Sequence, residues 1–274
     1  LCDELVVRDP EPCNLTSRSR VRPRASCWLP SRNKLPGCGD GDGEEALAIR
    51  LLSHKLRGRP PRDGVFLEIG GNDGRWSNTR HLEHCLSWRG IIIEGHPVTF
   101  AKLNRSRPTA ITVGTAICPQ HGTTRFTDVT NAAAGIIDNK MSSHMKRWRI
   151  NASNAIEVPC GPLGDWFELL RVRHVDYFSL GVKGSELMIL GTVDWTHFSV
   201  GVLIIKCNSI SCIDVRDKRI DEKLTAVGLT CVGLLRARHD VWKWVWVNAS
   251  HAGGQLLRTA QGLPKPTRQL PMLA

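Results

Sequence analysis

Strand and helix signals alternate along most of the chain, which predicts an α/β fold: a mostly parallel sheet closed by a C-terminal antiparallel hairpin. Three observations carry this. The apolar runs are short and nearly unbroken, as strands covered on both faces require. Segments with apolar residues at helical spacing separate them. The last two runs lie too close together for a crossover, so they pair antiparallel.

Residues 1–43 contain Pro10, Pro12, Pro23, Pro30 and Pro36, then Gly37-Cys-Gly-Asp-Gly-Asp-Gly43. This reads as an irregular arm ending in a hinge. Over Glu44–Leu56 the side chains of Leu47, Leu51, Leu52 and Leu56 share one side, which predicts an amphipathic helix. Strands are predicted at Val65–Ile69, Gly90–Glu94, Ala110–Ile117, Tyr177–Val182, Val200–Cys207, Leu229–Leu235 and Trp242–Val247. Helices are predicted at Trp76–Leu86, Val98–Arg105, Leu163–Arg171, Ser185–Leu190 and Arg216–Val227. Past Ser250 come Gly253-Gly254 and three prolines, a loose tail. The expected organisation is an arm (1–43), one α/β domain (44–250) and a tail (251–274).

With 41% hydrophobic and 23% charged residues over 274 positions, wholesale disorder is excluded. No apolar run approaches the ~18 residues of a membrane span. The chain opens on Leu with no basic-then-apolar leader in view, which leaves the compartment open between secretory pathway and cytoplasm. The formal charge of +11 argues for nucleic acid only if it clusters. The one dense basic block, Arg18–Lys34, lies in the Pro-containing arm and reads as a solvated stretch. Ten cysteines include no Cys-x-x-Cys pair, which argues against zinc. Cys2, Cys13, Cys27 and Cys38 of the arm would suit disulfides. Cys85, Cys118, Cys160, Cys207 and Cys231 fall in strands and helices and read as small buried hydrophobes. Four sequons, at Asn14, Asn104, Asn151 and Asn248, point weakly to an oxidising compartment.

The first predicted strand runs into Glu68-Ile-Gly70-Gly71-Asn72-Asp73-Gly74, and a helix follows. Glycines at such a turn let backbone N–H groups approach a ligand. The second strand ends in Glu94, 20 residues past Gly74, where a carboxylate accepts both hydroxyls of a ribose. Together these predict an adenosine-like ligand. The acid at Glu68 suits a cationic amino-acid group and repels a diphosphate, which favours S-adenosylmethionine over NAD.

Phe66-Leu-Glu-Ile-Gly-Gly-Asn-Asp-Gly74, Trp88-Arg-Gly-Ile-Ile-Ile-Glu-Gly-His-Pro97 and Val175-Asp-Tyr-Phe-Ser-Leu-Gly-Val-Lys-Gly-Ser-Glu-Leu187 resemble the FkbM-type methyltransferases. The eukaryotic branch, with Ser77-Asn78-Thr79 after the turn, is the most similar. The resemblance runs from about Val65 to Val247. It implies a class I methyltransferase (Rossmann-like) fold with strand order 3-2-1-4-5-7-6 and an antiparallel seventh strand. It also implies S-adenosylmethionine as cofactor, with Gly70, Gly71, Asn72 and Gly74 around the methionine, Glu94 on the ribose, and Ala116 and Ile117 near the adenine. Members methylate hydroxyls on glycans or small metabolites; some eukaryotic relatives look like membrane-trafficking regulators.

Against the same pattern, acids expected at three places are replaced by Gly181, Lys183 and Lys206. Restoring them would remove five positive charges, the whole excess of residues 64–250, so the basic core is the trace of local substitutions. A Lys about 6 Å from a sulfonium costs roughly 3 kcal/mol at an effective dielectric near 20, about a hundredfold in affinity. Two expectations follow: repulsion that impairs binding and leaves a non-catalytic binding or trafficking module, or side chains that swing away and leave binding intact. Glu186 and His96 are the candidate general bases for a hydroxyl acceptor. Glu186 reads equally as a first-turn helix acid, and His96 as a residue that orients the turn before Pro97. Asp73 and Trp76 border the Gly turn, with Trp76 expected to pack in a helix. Trp242, Trp244 and Trp246 share one strand face, expected to lie under helices.

Overall fold

In a computed structural model, residues 44–53, 63–131, 133–137, 149–207, 218–236 and 242–248 are described. The expected arm, its four cysteines and basic block, and the expected tail lie outside them. The elements are, in order, α1 (Glu44–Ser53), β1 (Val65–Ile69), α2 (Arg80–Leu86), β2 (Arg89–Ile93), α3 (Pro97–Ser106), β3 (Ile111–Val113), β4 (Ala116–Ile117), β5 (Gly122–Phe126), β6 (Ile156–Gly161), α4 (Leu163–Leu169), β7 (His174–Leu180), α5 (Glu186–Gly191), β8 (Ser199–Cys207), α6 (Lys218–Ala226), β9 (Leu229–Arg236) and β10 (Trp242–Asn248).

The main sheet has seven strands in the order β3-β2-β1-β7-β8-β10-β9. Its first five are parallel, and β10 runs antiparallel between β8 and β9. This is the order 3-2-1-4-5-7-6 that the family resemblance implies. Alternating side chains feed two cores. Leu67, Ile91, Phe178 and Leu203 pack with Phe167 of α4, Ile189 of α5 and Leu224 of α6. Phe66, Ile92, Tyr177 and Val202 pack with Leu51 of α1, Leu82 of α2 and Leu103 of α3. Each large apolar side chain so buried contributes about 1.5–3 kcal/mol. Trp244 and Trp246 lie in the first core and Val245 and Val247 in the second, so these two members of the expected Trp stripe sit on a sheet face packed under helices; the Trp242 side chain lies outside what is described.

Three expectations are corrected. The run Ala110–Ile117 is not one strand. It breaks at Gly114, where any Cβ would stand 2.7 Å from the Phe100 ring, and Ala116–Ile117 leaves for a second sheet of order β4-β6-β5. β5 and β6 have no strong apolar signal, since β5 is mostly exposed and β6 contains Pro159. The helix expected from Trp76 begins at Arg80, because residues 77–79 bind a carboxylate instead. Trp76 is 71% exposed and packs in no helix. Finally, Cys118 and Cys160 are not simple buried hydrophobes. Parallel pairing of β4 with β6 brings their Cα atoms to 5.6 Å, and they form a disulfide. Cys85 is disulfide-bonded as well.

Candidate functional site

At the carboxyl ends of β1, β2 and β7 the chain turns away from the sheet, the rim where ligands settle in open α/β folds. β1 leads into Gly70, whose φ of +89° favours glycine, and a Cβ there would lie 2.5 Å from the Gly181 carbonyl. The N–H groups of Gly70 and Gly71 both donate to the Ile93 carbonyl, at 2.9 and 3.3 Å, which ties the turn to β2. Gly74 (φ +77°) sits against Leu103 and Arg107. Gly71 and Gly74 are thus small because α3 and β2 press on them, a packing role beside any role toward a ligand.

Glu94 follows β2 and is buried. Its Oε2 accepts the Asn72 N–H at 2.8 Å and its Oε1 accepts the His96 N–H at 2.9 Å. Burial pushes its carboxyl up, against the pull of those N–H groups. A small crevice, partly open to solvent, lies next to it. Gly70, Glu94, Ala116 and Ile117 line this crevice together with Ile69, Phe126, Ile136, Gly181, Val182 and Ile189. Among the described residues lining it, Glu94 is the one ionisable side chain.

Four of the expected cofactor residues, Gly70, Glu94, Ala116 and Ile117, therefore meet at one crevice. Glu68 does not join them. Its carboxylate faces inward and accepts from Ser77 Oγ, from the Asn78 N–H (2.8 Å) and Nδ2 (3.1 Å), and from Thr79 Oγ1 (2.7 Å). Arg107, fully buried, donates to Ser77, to Thr79 and to Glu83. Glu68 and Arg107 thus knot the segment after the Gly turn to the sheet. Asn72 and Gly74 shape the turn without lining the crevice.

The two candidate bases differ. His96 caps α3: its Nδ1 accepts the Val98 N–H at 3.2 Å, which leaves the proton on Nε2, 3.4 Å from Asp128. Glu186 opens α5 and accepts the Gly184 N–H at 3.2 Å, and burial pushes its carboxyl up. Neither lines the crevice, although Ile189, one helical turn beyond Glu186, does.

The two lysines that replace expected acids also differ. Lys206 is partly buried and does not line the crevice. Its ammonium donates to Asn78 Oδ1 at 2.8 Å and lies 3.4 Å from Glu44 of α1. Glu44 is fully buried and also pairs with the fully buried Lys243 of β10. Burial alone would raise the Glu44 carboxyl, but the two ammonium groups outweigh it and hold it below the usual carboxylate value. A Cβ at Gly181 would come within 2.9 Å of Lys206 Cδ, so the missing side chain there makes room for the lysine. Lys183, in a left-handed backbone conformation (φ +63°), is half-buried. Desolvation, aided by Lys206, lowers it to about 8.

The sequence reading missed Glu44, Glu83, Arg107 and Lys243. A charged pair at the start of an amphipathic helix, Glu44-Glu45, was the available signal. Glu45 is spent on the N–H groups of His81 and Leu82, which caps α2.

The residues fit a nucleoside that carries a cation. The Glu94 oxygens offer about four acceptor sites, more than the two N–H groups and the Thr99 hydroxyl use. Apolar Ile69, Ile117 and Phe126 offer walls for a flat base, and no cation among the described lining residues opposes a sulfonium. No curated protein matches the chain. A precorrin-6y C5,15-methyltransferase from Geobacter metallireducens is similar in structure, with a TM-score of 0.41 and 12% identity over 75% of this chain and 86% of that one. A fibrillarin from Aeropyrum pernix with natively bound S-adenosylmethionine gives 0.40 and 14%, covering 74% of each chain. The sequence profile of the methyltransferase FkbM domain matches residues 68–235, more than half of the chain. The chain belongs to the FkbM methyltransferase family, whose cofactor is S-adenosylmethionine.

Proposed function

We propose that the chain is an active S-adenosylmethionine-dependent methyltransferase that methylates a hydroxyl of a glycan or small hydroxylated metabolite. One observation carries the reading: Lys206, one of the two cations expected to repel the cofactor, is engaged by Glu44 and Asn78, and among the described residues of the crevice wall Glu94 is the one ionisable group. Glu94 would accept the ribose hydroxyls, Gly70 and the turn through Gly74 would border the methionine, and Ala116 and Ile117 would flank the adenine. The cofactor supplies an electrophilic methyl group on a sulfonium. Orientation of the acceptor oxygen provides most of the acceleration in such a displacement. The acceptor must also lose its proton. Glu186 suits that task better than His96, because burial moves its carboxyl toward neutrality, whereas the His96 lone pair is spent on the α3 cap.

Titration calorimetry with S-adenosylmethionine tests this: heat with one-to-one stoichiometry is expected, and no heat at millimolar ligand rejects it. Lys183 favours a second reading, a catalytically impaired fold kept for binding or membrane trafficking. Its half-buried ammonium follows Val182 of the crevice wall and lies near the base candidate Glu186. That reading predicts a silent titration, restored by an acid at positions 183 and 206 with Gly181→Asp.

A further inference from the structure

Two features play no part in the methyltransferase site: the Cys118–Cys160 disulfide and the sequons. The disulfide ties the end of β4 to β6 and closes a loop with a sequence separation of 42. Within that loop lies Asn151-Ala152-Ser153. We infer that Asn151 carries an N-linked oligosaccharide and that the domain matures in an oxidising, glycosylating compartment.

The fold separates this sequon from the others it describes. Asn151 and Ser153 are both exposed, and the Asn151 backbone is extended (φ −88°, ψ 117°) just before a single 3-10 turn, Ala152–Asn154. The Ser153 hydroxyl donates to Asn151 Oδ1 at 2.8 Å, so the hydroxyl and the amide that a transferase must grip stand together at the surface. Asn104 is exposed too, but its sequon is wound into α3. There Ser106 Oγ is turned inward onto the Asp73 carbonyl at 2.7 Å, out of reach once the helix forms. Asn248 ends β10, half-buried and paired with Leu229 in the main sheet. Asn14 lies outside the described residues. Sequons that bear glycans belong to surface loops, and among those described Asn151 alone meets that condition.

The chemistry is that of an oxidising lumen. The Asn151 amide nitrogen bonds to the anomeric carbon of an oligosaccharyl-diphosphate lipid; the bond from that carbon to the diphosphate breaks and the nitrogen loses one proton. The Cys118 and Cys160 thiols give two protons and two electrons to a protein disulfide, which is reduced as theirs forms. Reducing cytosol supports neither step.

The test is to express the chain from its full coding sequence in animal cells, without reduction. Digestion with peptide N-glycosidase should shift its mobility, and mass spectrometry should then find Asp at position 151. Asn151→Gln should remove one glycan step from the undigested protein, while Asn104→Gln should leave the pattern unchanged. Cys118 and Cys160 should resist alkylation until reduced. Recovery of the 151 peptide with unmodified Asn, or of both cysteines alkylated in the unreduced protein, overturns the inference. Because the peptide is read in the wild-type protein, a variant that fails to fold does not blunt the test.

Discussion

Replacing Glu44 by Gln removes a carboxylate placed between two inward-facing ammonium groups, Lys243 with no exposure and Lys206 with 18%. Removing one partner of a buried ion pair costs about 3–5 kcal/mol, because the remaining charge keeps its desolvation penalty. For a domain of this size each kcal/mol lowers Tm by roughly 2–4 °C, so a fall of roughly 6–20 °C is expected in a thermal melt at neutral pH. The acid limb gives a second readout. The folded Glu44 carboxyl is held below the ordinary glutamate value, so its stabilisation is complete above that ordinary value and disappears as pH falls through the lower folded value. The Glu44→Gln protein should lose that part of the acid limb. Replacing Glu44, Lys206 and Lys243 together by Leu, Met and Met should recover most of the loss. A Glu44→Gln variant within about 1 kcal/mol of the parent, the range of an exposed pair, with an unaltered acid limb, would refute the buried-carboxylate reasoning.

Other perturbations test neighbouring links. Glu94→Gln should weaken S-adenosylmethionine roughly tenfold to a hundredfold in calorimetry, the range of one charge-assisted hydrogen bond. Burial raises the Glu94 carboxyl, so parental affinity should be full above that raised value and lost as pH falls through it, with the variant flat. Glu68→Ala leaves the donors of Ser77, Asn78 and Thr79 without their acceptor and should destabilise by at least about 3 kcal/mol in denaturant unfolding. Gly181→Ala should cost about 1–3 kcal/mol by overpacking Lys206. The cost should vanish in a Lys206→Ala background, and additive effects in the double-mutant cycle would exclude the coupling.

The main sheet is legible in the sequence because Val65–Ile69, Gly90–Ile93 and Val200–Ile205 are covered on both faces and so are apolar apart from Glu68. The small sheet is not, because Gly122–Phe126 is a polar, mostly exposed strand whose pairing rests on backbone hydrogen bonds and a disulfide. In the crevice, Glu94 and the Gly turn stand out because strand ends and glycines have local signatures. The direction of Glu68 does not, since it depends on a hydroxyl and amide cluster nine to eleven positions away in sequence. Lys206 is the sharpest case. Its spacing marks it as a cation at a ligand rim, and its partner Glu44 comes from a helix 162 positions earlier.

The matched stretch stops at residue 235, yet β10 lies between β8 and β9. A ribosome that has delivered everything through β9 has made a strand with no hydrogen-bonded neighbour in the main sheet, waiting for a partner still to be translated. The sheet is completed by its last-born segment, which also brings Lys243 to Glu44 at the start of the first helix. Assembly of the main sheet is therefore sealed by contacts between its earliest and latest described elements.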